Sequence, residues 1–208
     1  MGVEGSTIPA MRTCTPSTSS WLIGSALLLA LSGCDSPSTA QPGESADGGL
    51  PAPAYELAGE VCRERFNVGE SVKAFELPSL DGNSTIAPSQ YAGRVMVLNF
   101  WGTWCKPCLE ELPAFGSLHR MYFNHGMSLV AVATDEDPGP VQAFVDKHAL
   151  VADIALSGED AAGAYGRPEF PYTFVVNGEG TIVAAYQFVD GACMGDLEQV
   201  VRDELAKL

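Results

Sequence analysis

Cys105 and Cys108 stand two residues apart in Trp104-Cys105-Lys106-Pro107-Cys108, a spacing at which two thiols can close a small disulfide ring. The run lies at a change of pattern. Before it, Val95-Met96-Val97-Leu98-Asn99-Phe100-Trp101 is almost continuously apolar, as a strand buried on both faces must be. After it, Leu109, Leu112, Phe115, Leu118 and Tyr122 recur at threes and fours, the spacing of one helix face. Cys105 therefore falls at a helix N-terminus, where unpaired N–H groups and the helix dipole favour a thiolate. Pro107 fits there because a first-turn residue has no intrahelical acceptor for an N–H. Thiolate is the attacking species in thiol–disulfide exchange, so Cys105 is the expected nucleophile, with a pKa in the roughly 3.5–7.5 range of such cysteines. Cys108, one turn further in, is the expected resolving thiol. Half of a zinc site is the rival reading of a CxxC. It needs two further Cys or His ligands, whereas there is no second CxxC and no HxxxH, and His119, His125 and His148 are scattered. No metal site is predicted.

The elements that must hold this pair follow from the same patterns. Residues 128–133 read as the next strand, giving a β-α-β unit and a parallel pair. Residues 140–149 read as a helix, 152–156 as a short strand and 160–165 as a short helix. Two strands, 172–176 and 181–186, flank Asn177-Gly178-Glu179-Gly180, a strong hairpin signal. Asp196 reads as the N-cap of an amphipathic helix running to Lys207. Phe75-Glu76-Leu77 and the turn Asp81-Gly82-Asn83 predict a further hairpin near the front. The sum is an α/β fold with a mixed central sheet and helices on its faces. Trp104 is expected at the surface beside Cys105, and Trp101 in the core. Lys106 is a solvent-screened charge, and Tyr165 and Tyr172 either line a groove or fill the core.

A chain of 208 residues, 46% hydrophobic, is long enough for one globular domain with its own core. Lys and Arg total 11 against 26 Asp and Glu, a net charge of -15 that repels polyanions, so nucleic acid is excluded as a partner. The same charge favours neutral or basic client segments.

Trp21 to Leu31 is the one long apolar run, and its 11 residues fall short of the roughly 20 that a spanning helix needs. It has the length of a signal-peptide core, and Arg12 is the single cation ahead of it, which points to translation from Met11. Leu31-Ser32-Gly33-Cys34 resembles the lipobox of bacterial lipoprotein precursors. That resemblance implies a signal peptide over 1–33, an acylated Cys34 and a lipid anchor in a bacterial membrane, with the domain facing the periplasm or exterior of the cell envelope. An ordinary secretory signal is the alternative, and it too exports the chain. Residues 34–54 are rich in Ser, Pro, Gly and Ala and read as a flexible tether with a reach on the order of 25 Å. The folded domain is expected over 55–208.

Asn99 to Cys108, followed by Glu110-Glu111-Leu112-Pro113, resembles the active-site segment of thioredoxin-like thiol–disulfide oxidoreductases of the TlpA/ResA type. Phe75 to Gly82, Tyr91-Ala92-Gly93-Arg94 and Phe170-Pro171-Tyr172-Thr173-Phe174 fit that family in order, so the likeness covers about residues 68–205. It implies a thioredoxin-like fold with an N-terminal β-hairpin extension and no cofactor. It also implies protein disulfides as substrates, apocytochrome c or copper-site proteins among them, and a membrane electron donor. Pro171 would follow a cis peptide bond facing the cysteines, the Phe170 backbone would hydrogen-bond an incoming peptide, and Trp104 would shape partner contact. Pro168 would stiffen that loop, and Pro113 would kink the active-site helix. Thioredoxins carry a buried aspartate on the strand before the motif, whereas Asn99 here cannot titrate. The resemblance then points to Glu111, three residues after Cys108, as the acid/base group. A solvated glutamate at a helix start is the alternative.

Cys14 leaves with the signal, and Cys34 takes the lipid. Cys62 and Cys193 remain, and parity in an oxidising compartment pairs them, an N-to-C bridge that some TlpA-like proteins share. Two buried free thiols or a second redox centre are the rivals. Two other functions stay open on the same fold: a client-binding module or chaperone with a structural disulfide, and a peroxidase. Peroxidases of this fold place their cysteine in a Thr-x-x-Cys setting, a spacing that Thr103-Trp104-Cys105 does not share.

Overall fold

The computed structural model describes residues 49–57, 62–166 and 169–208. Cys14, Cys34, the apolar run at 21–31, the predicted tether as far as residue 48, and Pro168 lie outside the described residues. The front hairpin comes first, β1 (Leu77–Pro78) pairing antiparallel with β2 (Thr85–Ile86), and Gly82 takes the left-handed turn position at φ 69°. Next come β3 (Val95–Trp101), α1 (Lys106–Tyr122), β4 (Met127–Ala133), α2 (Pro138–His148) and β5 (Asp153–Ala155). The short α3 (Glu159–Gly163), β6 (Tyr172–Val176), β7 (Ile182–Tyr186) and α4 (Met194–Leu205) complete the described chain.

The main sheet has the order β5-β4-β3-β6-β7, with β3, β4 and β5 parallel and β6 antiparallel to both β3 and β7. Every residue of the central β3 is buried. Strand alternation sends Val95, Val97 and Trp101 into a core shared with α1, α2 and α4. Met96, Leu98 and Phe100 enter the second core, where Tyr165 and Tyr172 are packing residues and Phe100 stacks on Tyr172 at 4.9 Å. Pro113 lies within α1, where it supplies no N–H for the carbonyl one turn earlier.

Two local expectations change. Asp196 is not the helix cap: α4 starts two residues earlier, and the Asp190 carboxylate takes the N–H groups of Ala192 and Cys193 at 3.0 Å each. Asp196 sits buried in the first turn instead, accepting from Arg63 at 2.8 to 3.2 Å and from the Tyr186 hydroxyl at 3.0 Å. A partner more than a hundred residues away has recruited a residue whose local position suited a cap.

The last residues of the predicted tether, 49–54, are also part of the folded body. Glu198, buried on α4, accepts the N–H groups of Ala54 and Tyr55 at 2.8 Å each and the Tyr122 hydroxyl at 2.6 Å. Arg202 donates to the Pro51 carbonyl at 2.5 Å and to the Tyr122 hydroxyl at 2.7 Å. Cys62 is joined to Cys193 by a disulfide that closes a sequence separation of 131 residues. Residues 49–57 thus form a strap across α4, and it lies so close that a Cβ on Gly195 would stand 2.1 Å from the Glu56 carbonyl oxygen. Gly195→Ala should therefore dislodge the strap and lower hydrogen-exchange protection at Ala54 and Tyr55 by on the order of tenfold or more. Unchanged protection at those two amides would contradict the packing described.

Candidate active site

β3 delivers the chain to the site and α1 receives it. Cys105 is the N-cap of α1, with extended backbone (φ -93°, ψ 99°), and its sulfur accepts the Cys108 N–H at 3.3 Å. The two cysteines are joined by a disulfide with Cα atoms 5.3 Å apart. Cys105 is 4% exposed and Cys108 fully buried, so the sulfur nearer solvent is the one at the helix N-terminus. The approach is braced from the segment that follows β4: Asp135 accepts from the Thr103 N–H at 2.9 Å and the Thr103 hydroxyl at 2.5 Å. Trp104 is 64% exposed, and its indole N–H donates to the Thr134 hydroxyl at 3.2 Å. That fold-back requires Gly102, where a Cβ would stand 2.4 Å from Trp104 Nε1. Lys106 and Glu110 form an exposed ion pair at 3.7 Å.

The Phe170–Pro171 peptide bond is cis, and Phe170 meets Trp104 edge to face at 5.4 Å. Gln187 donates to the carbonyls of Glu169 and Pro171 at 3.2 and 3.3 Å, on either side of Phe170.

Glu111 is 2% exposed, unlike a solvated glutamate at a helix start. One carboxylate oxygen accepts from Asn99 at 2.8 Å, and the other accepts the Val189 N–H at 2.9 Å. Asn99 donates also to the Thr173 hydroxyl at 2.9 Å. Burial pushes the Glu111 pKa up to about 8, against the opposing pull of the bonds from Val189 and Asn99. Sequence reasoning placed Glu111 but missed what holds it: Asn99 registered only as a lost aspartate, and Val189 acts through a backbone N–H that no side-chain pattern signals.

A disulfide between two cysteines two residues apart at a helix N-terminus, on a sheet of order β5-β4-β3-β6-β7 with a cis proline close by, is the arrangement of a thioredoxin-like thiol–disulfide oxidoreductase. Residues 68–185 match the AhpC/TSA family. The thiol-disulfide oxidoreductase ResA of Bacillus thuringiensis (strain Al Hakam) is 32% identical over 122 residues, 58% of this chain and 70% of that protein. The ResA of Halalkalibacterium halodurans is 35% identical over 125 residues, 60% of this chain and 70% of that protein. A thiol:disulfide interchange protein from Bacteroides sp. superposes with a TM-score of 0.59 at 22% identity, covering 67% of this chain and 90% of that one. Another, of the thioredoxin family from Chlorobium tepidum TLS, gives 0.57 at 20% identity over 68% of this chain and 99% of that one. The chain belongs to the AhpC/TSA family and, within it, to the thiol–disulfide oxidoreductases of the ResA type.

The buried carboxyl makes a stability prediction. Glu111 holds its proton more tightly folded than unfolded, so its contribution is fully present below the ordinary value of 4.5 and is lost as pH rises toward 8. Urea unfolding should show Glu111→Gln gaining on the wild type across that window, by at most ~1.4 kcal/mol per pH unit. A constant difference from pH 5 to 8 would rule out the buried proton.

Proposed function

We propose that the protein is an exported, membrane-tethered reductase of protein disulfides. The observation that carries this reading is the placement of Cys105 as N-cap of α1 with a buried carboxyl, Glu111, one turn beyond Cys108. In the reduced state the Cys105 thiolate attacks one sulfur of a client disulfide. A mixed disulfide forms, and the other client sulfur leaves as a thiolate. Cys108 then passes its proton to the Glu111 carboxylate and attacks the Cys105 sulfur. The Cys105–Cys108 bond closes, the second client sulfur is released and protonated, and two electrons have moved to the client. A carboxyl titrating near 8 is matched to a proton transfer at neutral pH. A dithiol donor at the membrane returns the pair to its reduced form.

An extended client segment fits beside Phe170 and Pro171, with the exposed Trp104 ring against it. Clients whose cysteines must be reduced before they take haem or copper, apocytochrome c and oxidase copper-site proteins, suit this chemistry. The lipobox-like Leu31-Ser32-Gly33-Cys34 supports export and anchoring in the cell envelope, and the Cys62–Cys193 disulfide suits an oxidising compartment.

Cys108→Ser should accumulate a mixed disulfide with a CxxC client peptide through Cys105, and Cys105→Ser should form none while abolishing insulin reduction. Client retention by the protein lacking both thiols would favour a chaperone. Peroxide consumption at the rate of insulin reduction would favour a peroxidase.

A further inference from the structure

Glu111 is gripped from two directions of unequal rigidity. Asn99 belongs to the fully buried β3, whereas Val189 belongs to the loop 187–193 between β7 and α4. That loop touches three parts of the site. Its first residue, Gln187, binds the carbonyls flanking Phe170, and its third residue, Val189, holds the Glu111 carboxylate. Its last residue, Cys193, is bonded covalently to Cys62, while Asp190 ties the preceding turn through the N–H groups of Ala192 and Cys193. Phe188 and Val189, with Tyr55 from the strap, Ala114 from α1 and Met194 from α4, wall the cleft above Glu111.

We infer that the Cys62–Cys193 disulfide and the 187–193 loop are a positioning device for Glu111, so that a bridge remote from the exchange chemistry sets the pH range in which Cys105 and Cys108 work. The consequence for exchange rests on the acid/base role proposed for Glu111. The charged and titratable groups around that carboxyl are Glu110 and the Cys105–Cys108 pair from α1, Asp190 from the loop and Tyr55 from the strap. β3 and β6 contribute the neutral Asn99 and Thr173. With the bridge open, the end of the loop that carries Cys193 keeps only its hydrogen bonds to Asp190 and to the first turn of α4, so the loop lifts more readily and water reaches the carboxylate. Burial is the largest cause of its raised pKa, and the Val189 bond works in the opposite direction. Hydration therefore outweighs the lost bond, and the titration midpoint falls.

The test is a carbon-13 NMR titration of the Glu111 carboxyl in the full chain in detergent, with Cys105–Cys108 kept oxidised. Wild type is compared with Cys62→Ser/Cys193→Ser and with Asp190→Ala, which loosens the loop and leaves the bridge intact. The midpoint should fall by about one pH unit or more in both folded variants, and the pH profile of insulin reduction should move with it. An unmoved or raised midpoint, even with a lowered melting temperature, would overturn the inference and leave the bridge purely structural. The Glu111→Gln rate profile is read separately. If it matches wild type, the acid/base reading fails, while the carboxyl titration still decides whether the bridge acts on Glu111.

Discussion

A sulfur that must attack as a thiolate needs stabilisation without being sealed from its client, and the first turn of α1 supplies it. The Cys108 N–H points at the Cys105 sulfur, and the helix dipole adds to it. This demands that a strand end and a helix begin within a few residues. The fully buried β3 provides the rigid end, and the Asp135 carboxylate clamps Thr103 between strand and helix. Gly102 lets the Trp104 indole fold back to Thr134, leaving a broad aromatic face beside the sulfur. Sheet order, bracing and aromatic exposure all serve the position of one atom.

The acid/base role proposed for Glu111 sets a second demand, a carboxyl held in apolar surroundings, and that burial accounts for features that look unrelated. A carboxyl buried on α1 is tolerable because Asn99 and Val189 bond its two oxygens. Val189 keeps its place because the loop carrying it is fixed at Gln187, Asp190 and Cys193. The strap over α4 is secured in turn by Glu198 and Arg202, both bonded to the Tyr122 hydroxyl at the end of α1. Strap, bridge, loop and redox helix thus form one connected framework.

Much of this could be read from residue order. The run at 95–101 announces a strand buried on both faces, the spacing from Leu109 to Tyr122 announces the helix, and Asn177-Gly178 marks the hairpin between β6 and β7. Those signals are local, and local physics decides them. What escaped was non-local or carried by backbone. Asp196 looked like a cap because nothing near it reveals Arg63. Residues 49–54 looked like tether because their composition is poor in large apolar groups, yet Pro51 and Ala54 bind through a carbonyl and an N–H. The grip of Val189 on Glu111 leaves no mark in side-chain pattern for the same reason.

The most direct measurement of the central claim is the reduction potential of Cys105–Cys108, obtained by equilibrating the protein with defined dithiothreitol or glutathione ratios. A reductase that delivers electrons to client disulfides should titrate well below the glutathione couple. A strongly oxidising value, or no reversible titration of the pair at all, would contradict the account.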